Sequence, residues 1–434
     1  YRTTERYIAY VDRLAASAKS VRTAPQRPNG GEQGYRCDLT GEAEWLTHDR
    51  AHLTVPKGER KQVPTLWNLA AKQLPGIGRK GEHLSALAML KRLWPNWFVK
   101  QELGPLGIDT QRFVVSTHTL AISTSLERWL AASARIDKNA EKLLERAREP
   151  GTDRAALPRR LVRALYRGKD FNDDQRTLAR ALPALMEGDA SDDPEARNES
   201  AELARGLLGG KPEAYYALIL LDGDKMGAWI SGTDAAVQLD TRATFHPQIR
   251  ERMRAHFTRP EHQAYLDAPR AVSPSRHMAI SSALNAFALT LAQDIVENRC
   301  KGKLIYAGGD DVMALVAVDD LLACLTLLRA AYGGLPVPAN LRDTLGIDLA
   351  QPSELRLGGG HAVLDGRLLR LMGEGATASA GAVIAHHSAP LGSVLRTLRQ
   401  AENRAKNRGG RDAFAITLLK RGGGTTDLTL PWRL

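Results

Sequence analysis

Cysteine is scarce in this sequence of 434 residues, which contains only Cys37, Cys300 and Cys324. The number is odd, and the three residues lie far apart along the chain. This pattern argues against a disulfide framework and favours a reducing compartment, the cytoplasm.

Long uncharged apolar runs are also lacking. The most apolar stretch, residues 314–335, is interrupted by Asp319, Asp320 and Arg329, and this charge excludes a membrane span there. The first residues are polar, so we expect no secretory signal and no membrane partner.

Acidic residues are too few to balance the basic ones. Lys and Arg total 60 against 49 Asp and Glu, which gives a formal net charge of +11. This surplus favours a polyanionic partner such as nucleic acid, although a solvated arginine-rich surface would give the same count.

Strands alternate with helices in the second half of the chain, after a first half that is mainly helical by periodicity. An α+β fold with a ferredoxin-like βαββαβ core is predicted. The acidic residues 188–200, which include Pro194, predict a flexible loop or boundary. The predicted strands are 217–221, 303–306, 312–318, 376–386 and 413–419, and the helices are 275–298, 321–331 and 394–407.

Two adjacent aspartates, Asp310 and Asp311, follow Gly308 and Gly309 between two apolar runs. The pattern predicts a hairpin with both carboxylates at its turn. The glycines supply unusual backbone angles and let the backbone approach a phosphate. The alternative is that these four residues are only favourable turn chemistry.

A second acidic turn, Asp222-Gly223-Asp224-Lys225, ends another apolar run. Carboxylates from two strand ends suit a two-metal phosphoryl-transfer site that holds Mg²⁺ or Mn²⁺. Asp222 and Asp310 are the predicted first ligands, with the Gly223 carbonyl and Asp311 completing the set. Asp224 and Lys225 either contact phosphates or cap the following segment.

Three polar residues, His277, Ser281 and Asn285, share one face of the predicted helix 275–298. Ser281 and Asn285 are candidate contacts to a nucleobase or ribose; a half-exposed helix flank is the alternative. Lys406, near the end of a helix, either neutralises a triphosphate or complements the helix dipole.

Two further features are predicted to be structural. Cys37 lies in a turn similar to half of a zinc knuckle, but too few ligands follow for a zinc site. His386 and His387 follow a strand, and a two-metal site does not require their acid–base chemistry.

Taken in order, these motifs resemble the large subunit of type III CRISPR effector complexes, in the Cmr branch. The similarity spans most of residues 35–434. The segments that carry it are Gly308-Gly309-Asp310-Asp311, Asp222-Gly223-Asp224-Lys225-Met226-Gly227, Gly81-Glu82-His83-Leu84-Ser85-Ala86-Leu87, Lys91-Arg92, Ser379-Ala380-Gly381 with His386, Ala401-Glu402, Ala405-Lys406, Arg411-Asp412-Ala413-Phe414 and Pro431-Trp432.

The resemblance implies palm domains that polymerise ATP into cyclic oligoadenylate once target RNA is bound. It assigns catalysis to Asp310 and Asp311 and metal binding to Asp222. It also implies guide RNA, target RNA and the sister subunits of a type III-B complex as partners in antiviral defence.

The family's other features are only partly visible. The predicted division is a partial first palm with a degenerate zinc knuckle in residues 1–60, a mainly helical region in 61–212 and a second palm in 213–434. His48-Asp49 is too isolated to mark the HD nuclease domain that often opens this family. Two alternative functions remain: a GGDEF-like cyclase that makes a cyclic dinucleotide, and an inert scaffold that binds RNA.

Overall fold

The structure is a computed structural model, in which the chain divides into two compact units. One comprises residues 10–113, and the other residues 1–9 with 114–434. The predicted domain boundaries at residues 60 and 212 stay predictions. The residues described are 34–37, 43–56, 58–59, 62–63, 83–98, 114–132, 135–149, 154–167, 171–187, 194–232, 234, 237–238, 240–270 and 272–432.

A six-stranded sheet forms the centre of the larger unit, and a separate three-stranded meander lies within the same unit. The strands β1 to β9 are, in chain order, Tyr215–Gly223, Gly302–Gly308, Asp311–Ala317, Leu355–Gly358, His361–Leu364, Arg367–Arg370, Ala378–His386, Ala413–Leu419 and Thr425–Pro431.

The strand order of the large sheet is β2-β3-β1-β7-β8-β9. β1 pairs antiparallel with both β3 and β7, and β2 pairs antiparallel with β3. Strands β1, β2, β3 and β7 with their crossover helices make the predicted ferredoxin-like α+β core.

Two apolar helices cover this core. The first, Pro274–Arg299, is called the palm helix here. It is long and apolar enough to cross a membrane, and half of its most apolar segment is buried in the protein. Its buried stripe includes Leu284, Phe287 and Leu291, and the second helix, Leu321–Gly333, is buried along most of its length. Such burial is typical of core helices.

Five further strands lie outside this core: two extend the large sheet, and three form the separate meander. β8 pairs parallel with β7 after the helix Leu391–Asn407, and β9 pairs antiparallel with β8 on that side. The meander of β4, β5 and β6 precedes β7 and was not predicted from the sequence.

The helical region lies between residues 114 and 208 and has its own core, which includes Leu126, Leu143, Leu165 and Leu182. The predicted loop at 188–200 is wrong for its last seven residues, because Pro194 begins a helix, a position that proline favours. The helices are Thr117–Ala121, Ser123–Ala131, Lys138–Ala147, Arg159–Arg167, Asp173–Glu187 and Pro194–Leu207. The larger unit also contains four short helices outside the helical region, which are Met226–Ser231, Pro247–His256, Pro260–Asp267 and Ala339–Leu345.

The smaller unit is described mainly around Trp45. Its ring stacks on the rings of Tyr35 and His83, with distances between ring centroids of 4.9 and 4.0 Å. Asp49 caps the short 3₁₀ helix Arg50–Thr54 by accepting from the Ala51 amide, so its side chain has a structural role. The helix Ala86–Phe98 follows.

Candidate metal centre

The Gly-Gly-Asp-Asp sequence forms the predicted turn. β2 ends at Gly308, β3 begins at Asp311, and these two residues are partners in the ladder. The two-residue loop between them needs a positive φ at its first position, and Gly309 has φ +62°. Asp310 and Asp311 are thereby held at the tip of a hairpin.

Asp222 reaches the same place from the neighbouring strand. β1 lies beside β3 with Leu221 opposite Val312, so the next residue of β1 meets the hairpin turn. Carboxylate oxygens of Asp222, Asp310 and Asp311 all lie within 4.8 Å of one another. The structure therefore brings together the three acids that the sequence selected.

These three carboxylates are half-buried. Burial raises the pKa of Asp310, the charge of Asp311 raises it further, and the Asp310 backbone amide opposes both effects. Gathering like charges in a partly desolvated site is unfavourable unless cations offset them. The donor set is made only of carboxylate oxygens, which suits a hard divalent cation.

Gly223 allows the two acidic turns to approach each other. A Cβ at this position would lie 2.8 Å from Cβ of Asp310 and still closer to the hydroxyl of Tyr332. Tyr332 is buried, and burial together with nearby aspartates raises its pKa. No sequence signal pointed to Tyr332, because it follows an apolar helical run and looks like a core residue.

Lys406 lies beside the acids. Its ammonium forms ion pairs with Asp222 and with Glu402, one helical turn earlier. Burial raises the pKa of Glu402, and the charges of Asp311 and Asp224 add to this effect. Glu402 was not predicted as a site residue, although its i, i+4 spacing from Lys406 was readable.

Asp224 is directed into the protein. Its carboxylate accepts hydrogen bonds from Thr377 Oγ1 at 2.9 Å, Ser379 Oγ at 2.8 Å and the Asp412 amide at 2.9 Å. Arg411 lies 3.5 Å away. These contacts anchor Asp224 within the protein and do not cap the following helix, and its contact to a phosphate stays a prediction.

The remaining candidates lie around the turn or on the palm helix. Ser281 and Asn285 are exposed, and Lys225 pairs with Asp234 at 3.3 Å; their nucleotide contacts stay predictions. A Cβ at Gly308 would lie 2.5 Å from the hydroxyl of Tyr306, a half-exposed ring that the sequence reading missed.

The opposite end of β1 and β7 carries histidines. The His387 ring lies 4.5 Å from that of His386 and 4.6 Å from that of His118. Tyr215, at the start of β1, contacts His386. This group is at the other end of the strands from the acids, in agreement with a structural role.

Cys37 is buried with Leu84 and Ala88. No group of three or more potential metal ligands includes it among the described residues, which omit 38–42.

Comparisons with known proteins agree with this fold, which is that of a palm domain. Residues 215–347 match the family described as Cas10/Cmr2, second palm domain. The CRISPR system Cmr subunit Cmr2 of Pyrococcus furiosus is 33% identical over 229 residues, 52% of this chain and 21% of that protein. Cmr2 of Saccharolobus solfataricus is 44% identical over 63 residues, 14% of this chain and 6% of that protein.

Among solved structures, the type III-B Cmr-beta complex bound to cognate target RNA contains a chain with TM-score 0.61 and 15% identity. The match covers 99% of this chain and 50% of that one, and at this identity it shows the fold. The chain thus spans only part of its relatives. Over residues 215–347 the chain is similar to the second palm domain of Cas10/Cmr2, and the predicted resemblance to the Cmr-type large subunit is confirmed.

Proposed function

We propose that this chain catalyses synthesis of cyclic oligoadenylate from ATP, as part of the large subunit of a type III-B CRISPR effector complex in antiviral defence. The observation that carries the proposal is the convergence of Asp222, Asp310 and Asp311 carboxylate oxygens within 4.8 Å. Guide RNA, target RNA and sister subunits are the proposed partners, target RNA being the activator. We expect the complex to act in the cytoplasm.

The site's own residues supply binding and orientation. Asp222 and Asp310 would hold one divalent cation, Mg²⁺ or Mn²⁺, and Asp311 with the Gly223 carbonyl would contribute to a second. Such ions activate the attacking hydroxyl and neutralise the leaving phosphates.

Lys406 adds a positive charge beside these acids and is the candidate triphosphate contact. The backbone of Gly308 and Gly309 can approach a phosphate closely, because neither residue carries a side chain. Tyr306, next to the turn, offers an exposed ring on which a base can stack.

The test incubates the assembled complex with ATP, Mg²⁺ and matching RNA and identifies the product by mass spectrometry. Cyclic oligoadenylate that disappears in the Asp310→Ala/Asp311→Ala variant supports the proposal. We expect that variant to assemble normally, because both acids lie at a surface turn and their repulsion is removed.

Two outcomes would replace the proposal. RNA-independent formation of a cyclic dinucleotide from GTP would indicate a GGDEF-like cyclase. Intact RNA binding without any nucleotide product would indicate a scaffold.

A further inference from the structure

Three arginines of the helix Arg159–Arg167 contact the end of the palm helix; Arg159, Arg160 and Arg163 are called the arginine clamp here. Arg163 donates to the carbonyl and side-chain oxygens of Asn298 at 3.2 and 3.0 Å. Arg160 donates to the Arg299 carbonyl at 2.9 Å. Cations at the C-terminal carbonyls of a helix are electrostatically favourable.

The same helix reaches the base of the hairpin whose tip is Gly308-Gly309-Asp310-Asp311. Lys301 immediately precedes β2, and Asp320 follows β3. The Lys301 amide donates to Asp320 at 2.6 Å, and its ammonium binds Asp320 at 3.1 Å and Glu127 at 2.7 Å. Arg160 lies 3.1 Å from Glu127 and 3.8 Å from Asp320.

These charges are withdrawn from solvent. The side chain of Lys301 is 3% exposed and that of Asp320 is 12% exposed. Charges buried to this extent depend on the geometry of their partners, because water does not replace a lost contact. The position of the helical region is therefore tied to the hairpin base.

A second buried acid links the clamp to β2 itself. Glu297, whose side chain is 2% exposed, lies 3.0 Å from Arg159 and 2.7 Å from Lys303. It also accepts from the Leu304 amide at 3.3 Å. Both ends of the hairpin base thus contact the arginine clamp directly or through one intervening side chain.

We propose that the arginine clamp positions the hairpin turn for phosphoryl transfer. β3 is also paired with β1, whereas β2 is the edge strand of the sheet and pairs with β3. A shift at the base of β2 therefore moves the turn residues Gly309 and Asp310 relative to Asp222 on β1. The clamp residues are positioning residues, since none of them is in the acid group. This inference rests on the proposed function.

The test compares Arg160→Gln with Arg167→Gln, the same charge change at an exposed position of the same helix. In the assembled complex, Arg160→Gln should lower kcat for oligoadenylate synthesis about tenfold and change KM for ATP less than about twofold. Amide hydrogen exchange in residues 302–317 should accelerate about tenfold, while β7 and β8 keep their wild-type rates. Arg167→Gln should match wild type in all three measurements, and Arg160→Lys should recover part of kcat.

Unchanged hairpin exchange in Arg160→Gln, or faster exchange across the whole sheet, would overturn the inference. If the wild-type complex makes no nucleotide product, the proposed function fails. The clamp is then judged by exchange alone, and acceleration confined to the hairpin supports its positioning role. Should Arg160→Gln fail to fold, Arg159→Gln tests the same coupling, because Arg159 reaches β2 through Glu297 and its loss leaves the Lys301 ion pairs in place.

Discussion

At one end of β1, Asp222 lies with Asp310 and Asp311 in contact with solvent, whereas at the other end Tyr215 lies against His386 and the stacked rings behind it. Each end brings together three ionisable side chains of one kind, aspartates at the first and the histidines His118, His386 and His387 at the second. The acids are kept half-exposed with Lys406 beside them, while His118 is buried.

The pKa shifts follow this difference. At the histidine end, burial lowers the pKa of His118 to about 4, and the neighbouring His387 and His386 contribute to this shift. Those groups are neutral near pH 7 and need no counter-ion. At the acid end, mutual repulsion is retained in the folded protein, a cost to stability that is typical of functional sites.

The largest contrast between the two ends should be in activity. Asp222→Asn removes a carboxylate from the proposed metal set, and we expect a loss of about 10³-fold in ATP turnover, partly recovered at high Mg²⁺. His387→Asn, at the other end, should change turnover less than about twofold. Turnover measured across a Mg²⁺ titration would contradict the comparison if both variants lost activity equally.

Stability should separate two aspartates at the acid end itself. Asp224→Ala leaves two hydroxyls and an amide without their buried acceptor, and should lower the free energy of unfolding by about 3 kcal/mol. Asp222→Ala should cost less than about 1 kcal/mol, since Asp222 is half-exposed and its loss relieves repulsion. Urea unfolding of both variants measures the difference, and equal costs would refute it.

The histidine end should control stability at acid pH. The pKa of folded His118, about 4, is below its unfolded value of about 6.5, so the unfolded chain binds the extra proton between these limits. Neutral His118 therefore makes its full contribution to the free energy of unfolding above pH 6.5. This contribution is lost as the pH falls, so that the free energy of unfolding is lower by about 2 kcal/mol at pH 5.

Unfolding at pH 7 and pH 5 in wild type and His118→Phe tests this dependence. The variant should lose less stability between the two pH values. An identical pH dependence in both proteins would show that His118 is not responsible.

The smallest expected effect concerns Lys406. Lys406→Met removes the candidate phosphate contact and should raise KM for ATP about tenfold, or about 1.4 kcal/mol. Arg399→Met, an exposed residue of the same helix, is the matched control. Equal KM values for the two variants would exclude a role for Lys406 in ATP binding.

The sequence was sufficient for the core and for the three acids, because both depend on local patterns. Alternating apolar residues define strands, and the paired glycines before Asp310 define the turn. The ferredoxin-like order then places β1 beside β3. The predicted strand 413–419 is observed with the same bounds.

The sequence did not reveal in which direction a side chain points where a strand ends. Asp222 and Asp224 look equivalent in the sequence, yet one joins the acid group and the other is buried against Thr377 and Ser379. That difference depends on β7, more than 150 residues later. Tyr332 was missed for the same reason, since its contact with Gly223 is purely tertiary.

Both edge strands of the six-stranded sheet, β2 and β9, contain an interruption of regular pairing. β2 has an irregular register between Leu304 and Tyr306, and β9 ends at Pro431, which has no amide hydrogen to donate. Bulges and prolines interrupt the ladder that a foreign strand would extend. A foreign strand should therefore pair poorly with the irregular part of β2 and with the Pro431 end of β9, which makes these two stretches the least open to edge-to-edge association.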